Sequence, residues 1–267
     1  MNRIEAMFEK LSRNGQKALM PYITAGFPDL QTTAALIKEM TRCGAGMLEL
    51  GIPFSDPIAD GPVIQSSFTQ ALAKGLKNKQ IFEMISEVRQ EVEIPIAAMV
   101  SYSIVNRLGP NEYIRHCVEA GIDGLIIPDL PLEEAKPIVE LIQKAGLCSV
   151  MLVAPTSRIE RQNAIAKMSS GFIYYISVTG ITGERKELPA ELVDNVVRLK
   201  EVSPGKPVCV GFGISTPGQA AMVSKVADGV IVGSAIIRRI SEAENSGRDG
   251  IVKHVSQYVR SLAEAMA

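Results

Sequence analysis

Three carboxylates stand within fourteen residues in Glu49-Leu-Gly-Ile-Pro-Phe-Ser-Asp-Pro-Ile-Ala-Asp-Gly-Pro62, at Glu49, Asp56 and Asp60. Three prolines and two glycines keep the segment out of helix and regular strand, since Pro fixes φ and lacks an N–H while Gly tolerates strained dihedrals. A stiff loop that holds acids at the end of an apolar strand suits proton transfer. A rigid surface turn with solvated acids has the same composition, and the segment alone does not separate the two. Glu49 is set among Met47, Leu48 and Leu50. Desolvation there raises a carboxyl pKa and lets the group act as both acid and base near neutrality. The alternative is a buried structural acid paired with Lys or Arg, which costs desolvation without a packing gain. Asp60, held by Ala59 and Gly61-Pro62, can present a carboxylate across the same mouth. Asp56 reads as a turn cap or surface contact, and Asp129 as a turn or helix-entry acid.

Two further constellations accompany the acids. Gly211-Phe-Gly-Ile-Ser-Thr216 and Gly233-Ser-Ala-Ile236 each end an apolar run in small residues and open toward a helical pattern. Backbone N–H groups and a helix dipole at such a place suit a phosphate dianion. Tight turns alone would also account for the glycines. In Thr179-Gly-Ile-Thr-Gly-Glu-Arg-Lys-Glu-Leu188, glycines flank Ile181-Thr182 ahead of four charged residues. That is the composition of a lid closing over substrate, or of a solvated loop, and Thr182 could meet Asp60 on closure.

The elements that must position these groups recur along the whole length. Apolar, β-rich runs predict strands at Ala18–Thr24, Met47–Leu50, Pro95–Ser101, Gly124–Asp129, Cys148–Pro155, Phe172–Val178, Pro207–Gly211 and Gly229–Val232. Several are apolar at consecutive positions, the pattern of parallel strands covered on both faces. Helical patterns alternate with them at Leu30–Cys43, Lys79–Glu91, Asn111–Ala120, Leu132–Ala145, Arg158–Met168, Pro189–Glu201, Pro217–Val223 and Ile251–Ala263. Asp29 is placed to cap the first, and Gly44, Gly121 and Gly146 end three of them. Eight such pairs in 267 residues predict a closed (β/α)8 TIM barrel, with one domain spanning 1–267 because no linker or low-complexity tract divides the chain. An open doubly wound sheet would need fewer strands and a glycine-rich turn after the first, and Gly26-Phe27-Pro28 is not that turn. An extra amphipathic helix precedes the first strand, with Ile4, Met7, Phe8 and Leu11 on one face. The intervals after strands two and six are the long ones. The first holds the acidic loop and room for a helix around Val63–Lys74; the second holds the lid-like segment.

Composition narrows the function classes. With 28 basic and 29 acidic residues the formal charge is −1, giving no electrostatic case for nucleic acid or an anionic membrane. No apolar run is long enough for a membrane span. Four scattered cysteines without a CxxC pair predict small core residues in a reducing, cytoplasmic setting. His116 and His254 form no metal-binding pattern, so a resident metal and His-based nucleophilic catalysis are not expected.

Taken together, Pro21-Tyr-Ile-Thr-Ala-Gly-Phe-Pro28, the acidic block Glu49–Pro62, Pro128-Asp-Leu-Pro131, Gly180-Ile-Thr-Gly183, Gly211-Phe-Gly-Ile214 and Gly233-Ser-Ala-Ile236 resemble, in the same order, the α-subunit family of tryptophan synthase. The long acidic block is the specific part; the glycine motifs occur in many phosphate-binding barrels. The resemblance implies retro-aldol cleavage of indole-3-glycerol phosphate to indole and glyceraldehyde 3-phosphate, a lyase step of tryptophan biosynthesis with no cofactor in this chain. It further implies a pyridoxal-phosphate-dependent β subunit in an α2β2 assembly, facing Pro53, Asp56 and their neighbours. By the same resemblance Glu49 is the general acid/base, and Asp60 accepts the indole N–H and stabilises developing positive charge. Phosphate is expected near Gly183, Gly211, Gly213, Gly233 and Ser234, the indole slot at Tyr22, Val100, Tyr102, Ile126 and Tyr174, and Thr182 on the lid. Tyr22 is a phenol where many members carry Phe. The rivals are another small-phosphosugar barrel, such as an isomerase or an indole-glycerol-phosphate synthase, and a non-catalytic subunit that only activates a partner. No strand end offers the lysine such a synthase would use, and a pure regulator has no need of both acids.

Overall fold

The computed structural model describes residues 1–57, 60–177 and 189–267. Helix α1 (Arg3–Arg13) leads into β1 (Ala18–Thr24), α2 (Leu30–Arg42) and β2 (Leu48–Gly51). Two helices follow, α3 (Pro62–Ala73) and α4 (Asn78–Val88), then β3 (Ile96–Met99), α5 (Tyr102–Leu108) and α6 (Pro110–Ala120). The order continues β4 (Gly124–Ile126), α7 (Leu132–Lys144), β5 (Cys148–Val153), α8 (Ile159–Met168), β6 (Ile173–Ile176) and α9 (Leu192–Val202). It ends with β7 (Val208–Gly211), α10 (Pro217–Ser224), β8 (Gly229–Val232), α11 (Ser234–Glu242), a 3₁₀ turn and α12 (Gly247–Met266). All neighbouring strands pair in parallel, and β8 returns to β1, closing the barrel predicted from the alternating pattern. Among the described residues no helix is long and apolar enough to cross a membrane.

Period-2 side-chain alternation divides the apolar residues into two cores. Leu19, Ile23, Leu48, Leu50 and Leu125 face outward and pack with the helix layer. Ala18, Met20, Met47, Ala97, Cys148, Val150 and Cys209 fill the barrel interior. The N-terminal end of that interior is plugged by α1, whose Ile4 and Phe8 belong to the same inner cluster. Asn2 starts α1 with a capping box and donates its amide to the carbonyls of Asp123 and Gly146, both at 2.8 Å. Gly124 leaves the room: a Cβ there would stand 2.8 Å from Ile4 Cδ1. Burying Ile4 and Phe8 contributes about 2 kcal/mol each. All four cysteines are buried and free.

The sequence-predicted strands run long at four C-terminal ends, one of them β6, which stops at Ile176 with Ser177 already outside it. Instead of reaching Ser101, β3 stops at Met99, because Ser101 caps α5 through its hydroxyl. Strand β4 stops at Ile126, short of Asp129: Pro128 has no N–H for a ladder, and Leu130 N–H turns back to the Ile127 carbonyl at 3.2 Å. Likewise β5 ends at Val153 ahead of Pro155. One helix went unpredicted: α5 is a two-turn helix with only Ile104 and Val105 buried, too short for a period to show. The helix expected to open at Gly233-Ser234, given no bounds from the sequence, is α11, which follows β8 directly and buries Ile236, Ile237 and Ile240.

Candidate active site

Glu49 is the second residue of β2, in register with Tyr22 on β1 and Ala97 on β3. Alternation with Leu48 and Leu50 turns it into the barrel, above Met47. It is fully buried, and neither carboxylate oxygen has a hydrogen-bond partner among the described residues. Burial, and secondarily the charge of Asp60, pushes the Glu49 carboxyl up to about 8. Asp60 comes to the same pocket from the loop after β2. Its backbone N–H closes a turn onto the Pro57 carbonyl at 3.0 Å, and the Gln65 amide on α3 holds the Pro57 and Asp60 carbonyls at 3.1 and 2.7 Å. Gly61 and Pro62 then start α3, with Pro at a position where no N–H is needed. Burial pushes the Asp60 carboxyl up to about 6.

Two tyrosines form the inner wall by the same construction. Tyr22 on β1 is paired with Glu49 and leans over Gly51, two residues further along β2. Tyr174 on β6 is paired with Cys209 and leans over Gly211, two residues further along β7. A Cβ at Gly51 would stand 2.0 Å from the Tyr22 hydroxyl, and one at Gly211 would stand 2.3 Å from that of Tyr174. Each glycine is therefore a seat for a phenol. An aromatic column continues downward, Phe212–Tyr174 at 5.9 Å, Tyr174–Phe172 at 6.5 Å and Phe172–Phe8 at 5.8 Å, joining the pocket to the α1 plug.

The far side of the pocket is polar through its backbone. Gly213 and Ile214 after β7, and Gly233 and Ser234 after β8, line it. Helix α11 starts at Ser234 with no side-chain cap on its N-terminus, leaving first-turn N–H groups for whatever occupies the pocket. Helix α10 is different. Thr216 and Gln219 close its N-terminus with a capping box, and Gln219 Oε1 also accepts from Ser215 N–H at 2.8 Å. The strand-seven contribution therefore comes from the loop ahead of α10 and not from the helix end. In that loop Phe212 has φ 73°, in the left-handed region that non-glycine residues rarely occupy. Its carbonyl accepts a short hydrogen bond from Ser177 Oγ, and its ring meets Tyr174 edge-on.

A pocket of about 480 Å³, counting its open mouth, thus holds two shifted carboxyls, a tyrosine wall and an anion-ready rim. Residues 8–267 match the family model described as Tryptophan synthase alpha chain. The chain belongs to this family. A Tryptophan synthase alpha chain from Rhodopirellula baltica is 43% identical, with 100% of this chain and 99% of the relative aligned. The crystal structure of tryptophan synthase subunit alpha from Legionella pneumophila superposes with a TM-score of 0.92 at 40% identity, covering 100% of this chain and 98% of that one. A chain of the tryptophan synthase complex from Pyrococcus furiosus gives a TM-score of 0.84 at 35% identity, covering 92% of this chain and 98% of that one.

For this tryptophan synthase alpha chain family member, the structure brings Tyr22, Glu49, Asp60, Tyr174, Gly213, Gly233 and Ser234 to one pocket, with Gly211 seating Tyr174. Val100, Tyr102 and Ile126 are not among its walls. Val100 is buried just past the end of β3, Tyr102 opens α5, and Ile126 lies deep in the barrel interior. Thr182, Gly183 and the rest of the lid-like segment lie outside the described residues. Pro53 is buried and Asp56 exposed, with the Ser55 hydroxyl donating to Asp56 at 2.5 Å. The Asp129 carboxylate accepts from Ser101 Oγ at 2.7 Å and Tyr102 N–H at 2.8 Å, so the helix it helps to start is α5. Sequence reasoning passed over Ile64, Met99, Phe212, Ile214 and Ile231, which also line the pocket. Met99 and Ile231 had a signal in the alternation of β3 and β8; the left-handed Phe212 had none. Among the described residues no group of three or more His, Cys, Asp or Glu side chains is placed to hold a metal.

Proposed function

We propose that this chain cleaves indole-3-glycerol phosphate to indole and glyceraldehyde 3-phosphate, with Glu49 as acid and base and Asp60 as the electrostatic partner. The carrying observation is the Glu49 carboxyl, buried, without a partner among the described residues, and pushed up to about 8 beside an Asp60 pushed only to about 6. Near neutral pH that difference leaves Glu49 protonated and Asp60 ionised, which is the division of labour the reaction needs. Glu49 gives its proton to the indole ring carbon that carries the glycerol chain. The ring nitrogen becomes cationic, and the Asp60 carboxylate accepts its N–H and stabilises the charge. Glu49, now a carboxylate, takes the proton of the adjacent glycerol hydroxyl. The carbon–carbon bond breaks, its electrons return to the ring, and indole and the aldehyde separate with Glu49 reprotonated. Gly213, Ile214, Gly233 and Ser234 would hold the phosphate through backbone N–H groups, and Tyr22 and Tyr174 would flank the ring. Thr182 and Gly183 would close over it.

We further propose that the indole passes to a pyridoxal-phosphate-dependent β subunit in an α2β2 assembly; the similarity to a chain of the Pyrococcus furiosus tryptophan synthase complex supports a partner. The test is indole release from indole-3-glycerol phosphate, with and without added β subunit, for wild type, Glu49→Gln and Asp60→Asn. Wild type should release indole, faster with the partner, and each substitution should cost roughly a hundredfold, about 3 kcal/mol. A wild type that binds the ligand yet releases no indole even with the partner is a regulator or acts on another phosphosugar. In kcat/KM, activity should fall below about pH 6 as Asp60 protonates and above about pH 8 as Glu49 loses its proton. A flat profile across that range would remove the assigned roles.

A further inference from the structure

The loop between β7 and α10 supplies one side of the anion-ready rim, and it is held from behind by a residue far along the chain. The Tyr258 hydroxyl on α12 donates to the Ser215 carbonyl at 2.8 Å. The Arg239 guanidinium lies 3.4 Å over the Tyr258 ring, and Arg239 Nη1 donates to the Ala235 carbonyl at 2.9 Å. Ala235 is the second residue of α11, next to Ser234 on the rim. One continuous link therefore runs from the first turn of α11, through Arg239 and Tyr258, to Ser215 and the loop carrying Gly213 and Ile214. It spans the two segments that line the rim, and Ser215, Ala235, Arg239 and Tyr258 are not themselves among the pocket's lining residues.

We infer that Tyr258 is a positioning residue for phosphate recognition, setting the spacing between the β7 loop and the start of α11, with Arg239 as its anchor. The inference rests on the phosphate reading proposed above. Rim donors discriminate by geometry, since a hydrogen bond weakens steeply as its angle and length depart from ideal. A loop already bent through the left-handed Phe212 would relax if released, and three ties oppose that: Ser177 on Phe212, Gln219 on Ser215 and Thr216, and Tyr258 on Ser215. Only the third also reaches α11.

The experiment uses the full chain, with glycerol 3-phosphate binding measured by calorimetry and steady-state cleavage of indole-3-glycerol phosphate measured alongside. Tyr258→Phe keeps the ring and the Arg239 stack and deletes one hydrogen bond. It should weaken glycerol 3-phosphate binding about three- to tenfold and raise KM by a similar factor, with kcat changed less than about twofold. Arg239→Gln should act in the same direction and less strongly, whereas Arg239→Lys, which keeps a cation over the ring, should retain most of the affinity. A Tyr258→Phe chain that melts lower but binds glycerol 3-phosphate as wild type does overturns the inference, because a purely structural role moves Tm and not the affinity. Wild type failing to bind glycerol 3-phosphate overturns the phosphate reading itself, and this inference with it.

Discussion

The barrel holds a buried carboxylate near each end, and it treats them in opposite ways. At the N-terminal end Asp123 accepts hydrogen bonds from Arg89 Nη2, from Arg3 Nη1 at 2.9 Å and from Ile96 N–H at 2.8 Å. Arg89 donates also to the carbonyls of Gly121, Val92 and Ile94. At the C-terminal end Glu49 is as deeply buried and has no partner among the described residues. The lower acid is built for stability. Four strands on, Asp228 repeats the device, taking Val208 N–H at 3.0 Å and ion pairs from Lys200 and Lys17, just as Asp123 takes Ile96 N–H. The upper acid is left unsatisfied, so that its proton is free to move. A buried acid in this fold is thus structural or chemical according to whether donors are supplied, and the two ends divide along that line.

Removing the lower acid should have the largest effect on stability. Asp123→Ala leaves Arg89 buried without its counter-charge and should cost about 3–5 kcal/mol in urea unfolding, with activity per folded molecule preserved. A cost under 1 kcal/mol would mean the lower network is ornamental and the contrast false. Glu49→Gln should do the reverse and stabilise the chain at alkaline pH. With the folded pKa raised to about 8, the folded state keeps a proton that the unfolded chain loses from about pH 4.5 upward, so wild-type stability falls through that window and levels off above about 8. The gap between Glu49→Gln and wild type should therefore be near zero at the acid end and grow to roughly 3–5 kcal/mol by pH 9. A gap that does not change with pH would show that Glu49 has donors after all. Gly51→Ala, which drives a methyl into the seat of the Tyr22 phenol, should cost about 1–3 kcal/mol in stability. The double variant with Tyr22→Phe should recover part of it, and equal costs in single and double variants would remove the seat argument. Arg3→Ala should be the mildest, under about 1 kcal/mol, because the Arg3 side chain is 55% exposed while Arg89 still pairs Asp123.

Much of the architecture was legible because strand and helix periods are local properties. Eight apolar runs, several of them apolar at consecutive positions, and the glycines and Asp29 that bound the helices carried the barrel, and the closed strand order follows them. What was not legible was where strands stop, since a cap such as Ser101 competes with a ladder only once its neighbours are in place. Glu49 and Asp60 stood out by type and position. The pocket wall did not, because Ile64 and Met99 are ordinary apolar residues in sequence and become lining only through strand register and the placement of α3.

By itself, then, the sequence determined the parallel βα repeat, the acids at the end of strand two and the small-residue turns after strands seven and eight. Each is written in residue types a few positions apart, and the energies that choose them are local. The tertiary structure alone decided that Glu49 would lack a partner among the described residues while Asp123 would have three. It also decided that α11 rather than α10 would keep an open N-terminus, and that Tyr258 would reach a loop 43 residues before it. Those outcomes depend on closure of the barrel. Burial and hydrogen-bond satisfaction are properties of what surrounds a group, and a chain has no surroundings until it folds.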